Sequence, residues 1–359
     1  MKNIIGFIAI VAFVFSCNLR ETAKMKENLP KARGKQGQIL VVIDSTQWQG
    51  IVGETTREVF QKIVPGLPRE EPSFNLQYVD PIHFTSLLKV QQNIIFITIL
   101  DSKLPGDRKL KKYFTGKSLK MIQEDSSIFK FTKKDDFAKG QEILHLFGKT
   151  EAQLVENLKE NAQALRNIFN EIDQKRTYRA LYNAKAEKGI NKRIGEKFNS
   201  NMKIPYGYEI AMDEKDFMWI RNYNRNIDKN VFISWVPYRS KDQFALDSLI
   251  AIRERVARPY ILYKPGDGES YMVTETKYRD VIRQEINFRS HYAVRLKGLW
   301  KLNKYTMGGP FISYAMVDES SNRLYYIEGF LYSPGASQRE FMRELDVILR
   351  TFKPSENLK

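Results

Sequence analysis

From Ile4 to Phe15 the chain is an almost unbroken apolar run, preceded by a lone positive charge at Lys2 and closed by Ser16 and Cys17. A helix needs roughly 20 apolar residues to cross a hydrocarbon core, and this run falls well short of that. It does match the ~7–15-residue apolar region of a secretory signal. This reading constrains the fold more than any other feature, because it takes residues 1–16 away from the folded domains. Cys17 is the chain's only cysteine, so no intrachain disulfide is available. Each folded part must then stand on its own apolar core. A chain of 359 residues with 42% hydrophobic and 12% aromatic residues supplies such cores without covalent staples.

The order Val14-Phe15-Ser16-Cys17 resembles a bacterial lipobox, in which an aliphatic residue and a small one precede the cysteine that is lipidated. Phe15 is bulkier than that pattern usually admits. The resemblance implies cleavage after residue 16, acylation at Cys17 and anchoring to a membrane. Asn18 follows the cysteine where an aspartate would signal retention, which resembles lipoproteins sent on to the outer membrane and facing the periplasm. Residues 17–36 lack apolar periodicity and are rich in Lys, Arg, Asn and Gly, so they read as a flexible lipidated tether. Stretched, the roughly 19 residues that follow Cys17 reach roughly 65 Å at ~3.3–3.6 Å each. Each basic residue there adds on the order of 1 kcal/mol of attraction to an anionic leaflet.

The formal net charge of +16 is clustered. Residues 18–35 carry six Lys and Arg against two acids, residues 101–134 ten against four, and residues 174–203 nine against two. Clustered positive charge implies an anionic partner. For an exported chain that partner is an envelope polymer, a lipid headgroup or another envelope protein, and nucleic acid is not expected. Within the last stretch Arg176, Arg179, Lys185, Lys188 and Lys192 recur at helical steps and are expected to form a basic ridge, a candidate surface for that partner.

Beyond the tether the pattern predicts an N-terminal α/β domain over 37–186 and a C-terminal α+β domain over 190–359. Gln38–Asp44, Phe74–Val79 and Asn93–Leu100 read as strands, with helices near Glu54–Val64 and Phe84–Val90 between them. This order implies a mixed or partly parallel sheet. Residues 127–132 read as one more strand. Residues 136–185 read as helical throughout, with one helix over 136–147 and a longer one capped by Thr150 and Gln153. In the second half, short strands are expected at 208–212, 217–221, 231–237, 271–274, 285–288 and 292–302. A helix is expected over 242–258, a hairpin from Phe311–Val317 and Arg323–Tyr332, and a closing amphipathic helix over 337–352. The fold class is therefore α+β with mixed α/β character: an N-terminal mixed sheet with long helices, then a mainly antiparallel sheet closed by a terminal helix.

No chemistry announces itself. The first strand–helix junction lacks a phosphate-cradling glycine loop. His83, His145 and His291 stand in no metal-ligand spacing, and there is no nucleophile elbow. No catalytic residue, cofactor site or metal site is expected. Glu70 and Glu71, set between Pro68 and Pro72, read as an acidic surface loop. Gly308-Gly309-Pro310 and Ser333-Pro334-Gly335 read as turns bounding the hairpin, among Trp300, Tyr305, Tyr314, Tyr325, Tyr326 and Tyr332, which either pack the sheet or line a groove.

Taken together, several segments resemble an uncharacterised lipoprotein family of Bacteroidota known only as a domain of unknown function. They are the signal, Gly37–Asp44, Pro65-Gly66-Leu67-Pro68 with Glu71-Pro72, Gly308–Phe311 and Glu328-Gly329-Phe330. The resemblance spans nearly the whole mature chain and implies no activity. From Ile204 to the last helix the order of elements is similar to the α/β/α sandwich of PsbP-like and Mog1-like proteins. The functional expectation is a membrane-anchored, non-enzymatic binding or envelope-assembly module. An envelope hydrolase whose carboxylates converge only in three dimensions is the alternative.

Overall fold

The structure, a computed structural model, describes residues 28–125, 127–184, 186–224, 226–262 and 269–354. The chain divides into two compact units. One holds residues up to Lys62 together with Pro72–Ile172, the other Ile63–Glu71 together with Asp173–Lys359.

In the first unit Gln38–Val42 (β1), Asn75–Val79 (β2), Asn93–Ile99 (β3), Lys130–Lys134 (β4) and Glu142–Gly148 (β5) form one sheet in the order β2-β1-β3-β5-β4. All pairings are parallel except that of the edge strand β4. The unbroken apolar runs of β1 and β3 follow from burial on both faces. Ile39, Val41 and Ile43 point into a core shared with Val52, Phe60, Leu154 and Phe169, whereas Leu40 and Val42 point the other way, toward Phe84 and Leu110.

One sequence expectation fails here. The helix expected over 136–147 is absent, and Glu142–Gly148 is instead the strand β5, buried along its whole length. A short apolar run satisfies either period. What decides it is the slot beside β3, where the run gains a parallel partner along its whole length. The cap expected at Thr150 forms: its side chain accepts from Gln153 N at 3.3 Å, while the Gln153 amide accepts from Lys149 N at 2.8 Å. The long helix that follows is two helices, Glu151–Glu160 and Ala162–Tyr182, and both contribute leucines to the core.

In the second unit eight strands form an antiparallel sheet. They are Glu209–Glu214 (β6), Phe217–Asn224 (β7), Ile227–Pro237 (β8), Met272–Glu275 (β9), Ile282–Phe288 (β10), His291–Leu302 (β11), Gly308–Asp318 (β12) and Arg323–Tyr332 (β13). Their order is β10-β11-β12-β13-β8-β7-β6, with β9 on the free part of β11. Alternation along β13 sends Tyr325, Ile327 and Leu331 to a core under helices Lys188–Phe198 and Arg339–Leu349. Leu324, Tyr326 and Phe330 go to a second core under helix Leu246–Ala257. This unit is thus a sheet covered on both faces by helices, and the fold class is α+β.

The glycines of Gly308-Gly309-Pro310 lie inside β12 and not in a turn. A Cβ at Gly309 would stand 2.0 Å from the Leu331 carbonyl oxygen, so the close approach of β13 requires glycine there. The acidic loop also has a structural role. Glu71 is buried and accepts from Ser337 Oγ at 2.5 Å, Gln338 N at 2.6 Å and Arg339 N at 3.0 Å. Its carboxylate supplies the N-terminal cap that helix Arg339–Leu349 lacks locally.

Candidate functional site

The second unit has a half-open cleft of about 750 Å³ between helix Leu246–Ala257 and the paired strands β7 and β8. Local sequence explains its walls. Ser248, Ala251, Ile252, Arg255 and Val256 recur at the three- and four-residue steps that share one helix face. Pro237 ends β8, and the chain then turns back through Arg239 and Ser240. A capping box of Ser240 and Gln243 sets that turn, with Gln243 Oε1 accepting from Ser240 N at 3.3 Å; Gln243 also accepts from Arg239 N at 2.5 Å and donates through Nε2 to the Pro237 carbonyl at 3.1 Å. The floor is apolar, with Phe217 stacked on Tyr260 at 4.6 Å between ring centroids.

The cleft's charge sits at its mouth. Arg239 and Arg255 line it, both are exposed, and neither guanidinium forms an ion pair among the described residues. A single carboxylate, Asp216, lines it too. Behind the helix, Arg253 forks onto Glu328 with two 2.8 Å bonds, donates to Thr274 Oγ1 at 3.0 Å and lies over Phe311. Both partners are fully buried. Burial pushes the Glu328 carboxyl up against the opposing pull of Arg253. This pair ties helix Leu246–Ala257 to the sheet and so holds the cleft's helical wall in place. An arrangement of apolar floor and two arginines at the rim can hold a group that is anionic at one end and apolar at the other.

In the first unit, the first connection runs from β1 to β2 and the next crosses back to β3, so the strand order reverses at β1. Parallel sheets commonly bind ligands at such a switch point, beyond the strand ends. Here three aspartates occupy it. Asp44 accepts from Thr46 N and Gly106 N, Asp80 from Ser45 N and Ile82 N, and Asp107 from Ile99 N and the Gln47 amide, all within 2.7–3.0 Å. The backbone donors that would cradle a phosphate are already taken by carboxylates. Among the described residues no group of three or more His, Cys, Asp and Glu is placed to hold a metal ion.

The basic ridge does not run as one line. Arg176 and Arg179 lie on helix Ala162–Tyr182, whereas Lys188 and Lys192 lie on the separate helix Lys188–Phe198. Arg176 is paired to the buried Asp173 at 3.2 Å, and Lys192 stands 3.7 Å from Glu196. Arg179 and Lys188 are exposed. Cys17 and Lys185 lie outside the described residues. Of the aromatic group, Trp300, Tyr314, Tyr325 and Tyr326 pack the sheet, and their polar tips have partners within the fold. His145 is buried in β5, His83 is exposed, and His291 opens β11. None of the cleft residues stood out in sequence. The available signal was the stripe of Ser248, Ile252, Arg255 and Val256 beside the buried Leu249 and Arg253.

Two family models match the chain, each described only as a domain of unknown function: DUF8532 over residues 32–182 and DUF4837 over residues 187–351. The matches thus fall on two models, one for each half. No curated protein matches the chain. Among solved structures, the Saccharomyces cerevisiae Ran-binding protein Mog1p is similar to 44% of this chain over 90% of its own length, at 10% identity and a TM-score of 0.29. The human StarD13 (DLC2) lipid transfer and protein localization domain is similar to 46% of this chain over 96% of its own length, at 12% identity and a TM-score of 0.21.

Proposed function

We propose that this chain is a lipid-anchored binding module of the cell envelope, without catalysis of its own, that holds an anionic and partly apolar envelope component in the cleft of its second unit. The observation that carries the reading is the pair Arg239 and Arg255, without an ion pair among the described residues, at the mouth of an apolar cleft of about 750 Å³. The lipobox-like Val14–Cys17 and the likeness of the sequence to Bacteroidota lipoproteins support anchoring at Cys17 and an outer-membrane position facing the periplasm. Asp216 is the one carboxylate lining the cleft among the described residues, which supports binding over glycoside-type hydrolysis, a reaction that uses two.

The test is equilibrium binding of purified protein to lipopolysaccharide and to vesicles of anionic lipid over a salt series. The expected result is salt-sensitive binding that Arg239→Gln and Arg255→Gln each weaken by about tenfold, the equivalent of one charge-assisted contact of ~1.4 kcal/mol. Absence of binding, or binding indifferent to both substitutions, overturns the reading. The anchor is tested separately: Cys17→Ala is expected to release the protein from membranes in fractionation.

A further inference from the structure

On the sheet face opposite the cleft, β11 carries two cations, Arg295 and Lys297, that form no ion pair among the described residues. Ala293, Arg295 and Lys297 alternate along β11 with the buried Val294 and Leu296. Their partners on β12 are Met316, Tyr314 and Ile312, which belong to the core beneath helix Arg339–Leu349. That placement aims both cations into the layer between sheet and helix, where water is scarce.

The neighbours can be sorted by their partners. Arg350 donates to both oxygens of Asp346 at 3.1 Å, and the Tyr314 hydroxyl donates to the same carboxylate. Arg343 pairs with Glu340 at 3.1 Å and stands 4.0 Å from Asp173. Arg295 donates to the neutral Gln284 amide and forms no ion pair among the described residues. Lys297 has no hydrogen bond or ion pair among the described residues. From the segment 63–71 the neighbour is Gly66, where a Cβ would stand 3.0 Å from Lys297 Cβ, so the chain lies directly on the lysine stem. Burial first, then the charge of Arg295, lower the Lys297 ammonium from its ordinary range to about 8, against the opposing pull of Asp346. It therefore remains protonated at neutral pH in a setting that charges dislike.

We propose that Lys297 and Arg295 form a binding site for a phosphate group, whose two negative charges match the two cations left without a carboxylate. An ammonium and a guanidinium side by side provide point-charge and forked donors for its oxygens. Both residues are half-buried, so neither is fully sealed from solvent. The site lies on another face from the Arg239–Arg255 cleft and does not depend on it.

The test reads Lys297 directly. The purified full-length protein is acetylated with an amine-reactive ester near pH 8, and the rate at Lys297 is followed by peptide mass spectrometry, with the exposed Lys192 as internal reference. Inorganic phosphate is expected to slow acetylation of Lys297 by about tenfold and to leave Lys192 unchanged. Arg295→Gln is expected to abolish most of that protection while leaving the circular dichroism spectrum unchanged. A second arm replaces inorganic phosphate with vesicles bearing phosphomonoester headgroups. Protection by vesicles alone assigns the phosphate to a lipid, and protection by both assigns it to a freely diffusing group. If neither slows acetylation of Lys297, the proposal is overturned, whatever the fate of the cleft.

Discussion

Replacing His145 by phenylalanine is expected to remove an acid-labile point from the first unit. His145 lies in β5 at 3% exposure and stacks on Phe131 at 4.2 Å and Phe96 at 5.0 Å, with Tyr113 and Phe114 at its edges. Its Nδ1 finds no hydrogen-bond partner among the described residues. Burial, and then the charge of Lys133, hold its pKa down to about 4 against an ordinary 6.5. The neutral ring is the form the fold favours. Above pH 6.5 the folded and unfolded chains are both neutral at this site, and the full stability is present. Below it the unfolded chain takes the proton while the folded one refuses it, so stability falls until the folded histidine also titrates near pH 4. The gap corresponds to about 3 kcal/mol in total, or roughly 1.4 kcal/mol per pH step in between. The assay is urea unfolding at pH 7.0, 5.5 and 4.0 for the parent and for His145→Phe, followed by hydrogen exchange in peptides covering β3 and β5. The difference between the two proteins is the readout, because the carboxylates that titrate over the same range are common to both. A difference that stays flat across the range would refute the reasoning.

Two further outcomes follow from the second unit. Arg253→Met strands the fully buried Glu328 carboxylate and is expected to cost about 3–5 kcal/mol, whereas Arg253→Met with Glu328→Leu recovers most of that loss. A double-mutant cycle in urea checks this, and simple additivity would contradict it. Gly309→Ala forces a methyl to within 2.0 Å of the Leu331 carbonyl and is expected to cost about 3 kcal/mol or more by thermal melting. Gly189→Ala, where nothing lies within 4 Å, is expected instead to stabilise helix Lys188–Phe198 by up to about 1 kcal/mol.

Much of the second unit was legible before any coordinates. The stretches behind β11 and β13 and the closing helix carry their period within a few residues, since a strand or helix covered on one side must repeat its apolar positions at 2.0 or 3.6. Phe341, Leu345, Ile348 and Leu349 were readable as a buried stripe for that reason; the last three are buried and Phe341 is partly buried against the same core. The Thr150 cap was readable because both partners lie within three residues. Where a run was apolar on all sides, as at Glu142–Gly148, periodicity carried no information. The neighbouring strand β3 decided between helix and strand.

The sites belong to the other class. Glu71 caps a helix more than 260 residues away, and Arg253 meets Glu328 across 75 residues. Phe217, Arg239 and Tyr260 converge on one cleft from separate elements. The residues expected to form a basic ridge are divided between helices Ala162–Tyr182 and Lys188–Phe198, a break that their three- and four-residue spacing does not reveal. The sequence alone determined the N-terminal apolar run and its single cysteine, the fold class and the amphipathic faces, because each is written in adjacent residues. Tertiary structure alone decided which charges meet partners and which, like Lys297, have none among the described residues. That depends on distances between segments far apart in the chain, and local patterning does not encode them.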